Sequence, residues 1–379
     1  MAIRKERESE KTENRNEGQV ASRYSKYESI RLPYLTRART AALLTIPTLV
    51  PPESNGMATK YPTPYQGIGA RGTNNLASKL LLALLPPNSP FFKLSIDDFQ
   101  LEKLTKQKGM RAQIEQAFGQ IERSVMNEIE TSAVRVKVFE ALKQLIVAGN
   151  VLCFITPDGA MRVFPLSRYV VKRDPIGHVL EIITKENISP MAIPQKAREV
   201  CGVDADEDNP ENIVHLFTRI YLEDDGRNFT IYQELNGKVV PDSIGTYPVD
   251  ECPWLALRFV SVENEDYGRG FIEEYQGDLQ ALEGLSKAIL EGAAASSKIL
   301  YLLKPNSTTN KKKMVEAPNG AVIEGNRDDI SILQLDKYAD FRVAYDQSQE
   351  LTKRLSFSFM LNSSVQRSGE RVTAEEIRY

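Results

Sequence analysis

The chain has 379 residues, 41% hydrophobic and 26% charged, with a formal net charge of −3, which is enough for two or three units with their own cores. No run of about 18 apolar residues is present, so a membrane-spanning helix and a membrane partner are not expected, and the charged stretch from Met1 to Glu17 is no secretory signal. Cys153, Cys201 and Cys252 are widely spaced and form no CxxC pair, which argues against a disulfide framework or a zinc site.

In chain order, residues 1–20 are rich in Arg, Lys and Glu and read as disordered. A helical pattern runs from Tyr24 to Leu44, with Tyr27, Ile30 and Tyr34 followed by an Ala-Leu run. Pro47, Pro51, Pro52, Pro62 and Pro64 then demand an extended loop. Helices fit Thr73 to Leu85, residues 110–130 and residues 134–148 from their apolar spacing. Next the period falls to two. Val151–Thr156, Met161–Leu166 and Val179–Thr184, joined by turns at Asp158-Gly159 and Ile176-Gly177, read as a β-meander. Ile213–Leu222, Phe229–Leu235 and Trp254–Val260 form a second strand group. Residues 21–270 are thus expected to be a mixed α+β domain.

The last third differs. A long helix is expected over 271–303, a small β-containing stretch over 304–337 with strand signals at Gly320–Glu324 and Ile330–Leu335, and a second long helix over 338–361. A polar loop covers 362–371. Thr373 and Glu376 form a capping box that opens another helix in 372–379, which predicts more sequence beyond Tyr379.

Enzyme chemistry finds little footing. Gly67-Ile68-Gly69-Ala70-Arg71-Gly72 is a literal GxGxxG, but a dinucleotide site needs a buried strand before it, and Pro62 and Pro64 stand there. Asp204, Asp206 and Asp208 have the alternate spacing of a calcium loop. Asn209 replaces its Gly and His215 its final Glu, so a solvated acidic loop is the better reading. Neither GxSxG nor GxxxxGK[ST] occurs. The expectation is no catalytic residue, no metal and no cofactor.

The first long helix carries a stronger pattern. Gly277, Ala281, Gly284, Ala288, Gly292 and Ala295 form one stripe of small residues beside an apolar face of Leu279, Leu282, Leu285 and Ile289. Glycine inside a helix costs about 1 kcal/mol relative to alanine, a cost that makes sense where another helix approaches closely. That helix could belong to the same chain or to a second copy. In the second helix, Phe341, Tyr345, Leu351, Leu355 and Phe359 supply an apolar side, and Arg342, Asp346, Gln349, Lys353 and Ser356 a polar stripe. The stripe suits either an outer surface or the wall of a water-filled channel. Arg367 and Arg371 sit close to Gly369 in the loop Gln366-Arg367-Ser368-Gly369-Glu370-Arg371, which by itself reads as an exposed connection. Lys311, Lys312 and Lys313 make either a solvated basic turn or a docking patch.

Longer motifs carry a family signal. Arg354-Leu355-Ser356-Phe357, Phe359-Met360-Leu361-Asn362-Ser363, Val365-Gln366-Arg367 and the run from Gly369 to Tyr379 resemble the head-to-tail connector (portal) proteins of short-tailed phages. So do Gly69-Ala70-Arg71-Gly72 with Asn74 to Leu80, Phe139 to Leu145 with Ala148-Gly149-Asn150, and Tyr267-Gly268-Arg269 with Glu273-Glu274-Tyr275. The resemblance implies the portal fold and a homo-oligomeric ring, usually of twelve subunits, that conducts double-stranded DNA at one capsid vertex during packaging and ejection. It implies a wing at 21–270, stem helices at 271–303 and 338–361, a clip at 304–337 and a channel loop at 362–371, without the family's crown and barrel. The implied partners are the terminase motor, the tail adaptor, the major capsid and scaffolding proteins, and internal core proteins. An enzyme using the glycine loop and a scaffold without a DNA channel are the competing readings.

Overall fold

The computed structural model describes residues 18–52, 60–87, 89–95, 110–204, 213–296, 300–303, 330–333 and 338–361, with 305, 312, 316, 318 and 320–322 in addition. Helix α1 (Gln19–Leu43) buries Val20, Tyr24, Arg31, Leu35, Ala38 and Ala42, a spacing of three, four and seven that keeps one face on the core. It begins earlier than the pattern predicts, and Val20, expected in a loose end, is fully buried. The cause is distant in sequence. Glu234 accepts the first free amides of α1, from Val20 at 3.2 Å and Ala21 at 3.4 Å.

Helices α2 (Ile68–Leu84), α3 (Met110–Thr131) and α4 (Val134–Ala148) follow as expected, α2 starting five residues sooner. The strands depart from the expected meander. Strands β1 (Asn150–Ile155) and β2 (Met161–Pro165) form one antiparallel sheet whose third member is β9 (Trp254–Arg258), in the order β2-β1-β9. Asn150 pairs with Arg258 and Phe154 with Trp254, so β9 leaves the second strand group and closes the first. The second sheet runs β3 (Tyr169–Arg173), β4 (Val179–Ile188), β5 (Val214–Leu222), β6 (Asn228–Leu235) and β7 (Lys238–Val239), with β8 (Gly245–Pro248) also on the outer edge of β6. A short helix, α5 (Gln195–Cys201), covers one end. A 3-10 turn at Leu166–Arg168 passes the chain from one sheet to the other.

Two arginines lock that transfer. Arg31, 2% exposed, donates to the carbonyls of Leu166, Ser167 and Tyr169 and to the Tyr24 hydroxyl. Arg173 ties β3 to β9 through the Ala256 carbonyl at 2.8 Å and holds the turn through Gly177. Burial opposes ionisation of Glu181, yet Arg23, Arg219 and Tyr27 all donate to it and hold its carboxyl below the usual range. A depressed carboxylate contributes stability above its unfolded pKa and loses it as pH falls through the folded value. Glu181→Gln is therefore expected to lower the unfolding midpoint at pH 7, with a deficit that shrinks below about pH 4. Thermal melts from pH 7 to pH 3 measure it, and a deficit independent of pH would contradict it.

The last third corrects one expectation. The helix expected over 271–303 breaks at Tyr275 into α6 (Phe271–Glu274) and α7 (Gln276–Ser296), and Leu300–Leu303 is a strand, β10, paired with β11 (Ile330–Leu333). Leu300-Tyr301-Leu302-Leu303 is apolar at every position, a pattern that periodicity cannot assign to helix or strand. At Gly320–Val322 the chain is a turn and loop rather than the expected strand. Helix α8 (Tyr338–Ser358) stops before the expected Leu361.

Candidate functional site

Those resemblance motifs that fall within the described residues, scattered in sequence, converge where the chain enters and leaves the α7–α8 hairpin. At the start of the first helix, Gly149 has φ 71°, and a Cβ there would lie 2.3 Å from the Arg269 carbonyl carbon. Asn150 bonds both ways with Gly268, donating to its carbonyl at 2.8 Å and accepting its amide at 2.7 Å. Tyr267 is fully buried, and its hydroxyl accepts the Val171 amide. These contacts fix the angle at which residues 271 onward leave the body.

Helix α2 holds the other end. Gly72 faces the Phe359 ring so closely that a Cβ would sit 2.4 Å from it, and Gly69 abuts the Leu44 carbonyl at 2.2 Å by the same construction. Residues 60–66 before this loop form no strand. The glycines of the apparent dinucleotide motif are thus explained by close packing. Phe359 is wholly buried with Phe271 at 5.8 Å and Tyr275 at 6.3 Å between ring centroids. Asn75 donates to the Phe359 and Met360 carbonyls at 3.0 and 3.1 Å, and Lys79 to Met360 at 2.7 Å. On α7, Glu283 accepts the Tyr65 and Gln66 amides at 3.0 and 3.1 Å.

Between its ends the hairpin is held by buried Leu279, Leu282 and Leu355 and by an Arg354–Asp278 ion pair. Gly277, Ala281, Gly284 and Ala288 are exposed, and Cβ atoms built on Gly277 and Gly284 meet nothing within 4 Å. Among the described residues, then, no second helix of this chain fills the stripe at these two glycines. Gly292 is half-buried, and the Ala295 side chain lies outside the described residues. Arg342, Asp346, Gln349 and Lys353 are all exposed. Two members of the expected pattern change sides: Ser356 is buried, and Tyr345 is 54% exposed. The spacing also gave no warning of Phe357, 81% exposed in the last turn of α8. Lys312 is exposed, while Lys311, Lys313 and the loop from Gln366 to Arg371 lie outside the described residues, as do Asp206 and Asp208.

Burial pushes the Cys153 thiol up to about 12, which makes it a packing group rather than a nucleophile. Among the described residues no cluster of His, Cys, Asp or Glu suits a metal ion, and no helix is long and apolar enough to cross a membrane.

What the body builds is a mount for a helical hairpin, a structural device. The chain belongs to the bacteriophage head to tail connecting protein family, which it matches over residues 17–379. It is 44% identical over 361 residues to the portal protein of Escherichia phage T7, and 42% identical over 360 residues to that of Enterobacteria phage T3. The portal protein of Enterobacteria phage SP6 is 31% identical over 361 residues. The alignments take in 94% of this chain and 67% of the T7 and T3 proteins, so the chain spans about two thirds of their length. Like these relatives it is a structural protein and not an enzyme.

Proposed function

We propose that this chain is a portal subunit, copies of which stand side by side in a ring at one vertex of the capsid while double-stranded DNA passes through the centre. The observation that carries this reading is the stem hairpin. It is anchored at its base, where the chain enters and leaves it, yet it leaves a small-residue stripe exposed with open space above Gly277 and Gly284. A contact between different patches on successive copies closes into a ring when the rotation allows, and small residues let the stems stand close. Family membership and the portal relatives support the same role.

In this reading residues 21–270 are the wing, 271–296 and 338–361 the stem, 304–337 the clip and 362–371 the channel loop. Arg342, Asp346, Gln349 and Lys353 line the wetted wall. A near-neutral wall of mixed charge suits a duplex that must slide, because many phosphate contacts would hold it fast. The clip, with Lys311, Lys312 and Lys313, docks the terminase motor and then the tail adaptor, while the wing meets the capsid, scaffolding and internal core proteins. ATP hydrolysis belongs to the motor. The subunit assembles in the host cytoplasm and stays in the virion. Negative-stain imaging of the purified protein tests the reading: rings with a hole of duplex width support it, and a single-copy protein or a closed assembly overturns it.

Within the ring, Arg367 and Arg371 would place positive charge around the narrowest point. Arg367→Ala with Arg371→Ala is expected to leave rings intact and to reduce the DNA retained in filled heads. Retention equal to that of the unaltered protein would remove the gripping role.

A further inference from the structure

The end of α8 is held by two side chains of α2. We propose that Asn75 and Lys79 of the wing helix α2 are positioning residues for the channel loop, setting the direction in which the chain leaves α8. The inference rests on the reading of residues 362–371 as that loop.

A helix end leaves carbonyls without intrahelical partners. Here the Met360 amide bonds to the Phe357 carbonyl and the Leu361 amide to that of Ser356, at 3.0 and 2.9 Å. This is a Schellman closure with Met360 in its left-handed position, at φ 52°. Glycine is the usual residue there, since a side chain strains that conformation. Such a residue persists where its surroundings over-determine it. The surroundings are α2. Asn75 and Lys79 take up the Phe359 and Met360 carbonyls, and the Lys79 ammonium stands at the negative end of the helix dipole. Gly72 lets α2 lie directly on Phe359. Glu283 of α7 grips the backbone just ahead of α2. One wing helix is therefore fastened to both stem helices, and its polar contacts end two residues before Asn362.

The test compares the full chain with Asn75→Ala plus Lys79→Ala, and with the same pair carrying Met360→Gly. Amide hydrogen exchange in the last turn of α8 is expected to speed up by about tenfold or more without the two side chains, while rings still form and filled heads retain less DNA. Met360→Gly, which adopts the left-handed position at little cost, is expected to restore both protection and retention. A cap that only adds stability would change exchange and leave retention alone. Unchanged exchange would remove the latch. Faster exchange with full retention, or lost retention that Met360→Gly leaves uncorrected, would remove its coupling to the loop. Failure of the unaltered chain to form rings would instead strike the portal reading, because the exchange result is measured on the chain itself.

Discussion

Gly284→Leu is expected to leave each subunit folded and to stop subunits from closing into rings. The two halves of this expectation come from different physics. Within one chain the position is exposed, and a Cβ meets nothing within 4 Å, so leucine has room. It also removes a helix glycine, a gain of up to about 1 kcal/mol. Thermal stability of the isolated subunit should stay level or rise slightly. Between copies the effect reverses. Interaxial distances of packed helices, about 8–10 Å, depend on the side chains at the contact, and leucine puts four heavy atoms where the stripe offers none. Forcing extra methylenes into a packed contact costs typically 1–3 kcal/mol, and a ring repeats that cost at every interface. Mass measurement should give subunits or open chains, while Gly284→Ala should still give rings. Rings of normal size from Gly284→Leu would place the subunit contact elsewhere on the stem.

Such a separation of fold from assembly explains which parts of the molecule the sequence disclosed. Local patterns were legible. Ile114, Phe118, Ile121 and Val125 mark α3, and β1, β2, β4, β5, β6 and β9 lie in segments where the two-residue period placed strands. Pairing across distance was not. Nothing local tells that Trp254 lies against Phe154 rather than beside β6, because the choice depends on the Asn150–Gly268 and Arg173–Ala256 bonds made after the chain has folded back. The start of α1 hung on Glu234 in the same way. The stem stripe was visible as a pattern, and the structure adds that two of its glycines face open space. Asn75 and Lys79 stood within a quoted motif, but their partners are carbonyls, which carry no mark in a sequence.

Phe359→Ala carries the largest expected loss of stability, about 3–5 kcal/mol by the range for buried aromatic truncation. The ring is wholly buried between Phe271 and Tyr275 at the start of the hairpin and Gly72 of α2. How much a cavity costs depends on how well its walls collapse. Here one wall has no side chain to lend, since Gly72 presents bare backbone, and one turn earlier α2 is held by Gly69 against the Leu44 carbonyl. The loss should fall toward the upper end. Phe359→Leu keeps most of the volume and should cost distinctly less. Phe357, two residues earlier and 81% exposed, is the internal control. Phe357→Ala should change subunit stability by no more than about 0.5 kcal/mol. Chemical denaturation of the three variants as single subunits measures this order. If Phe359→Ala and Phe357→Ala proved equally mild, α8 would not be seated on α2. The proposed positioning of residues 362–371 by α2 would then have no fixed point through which to act.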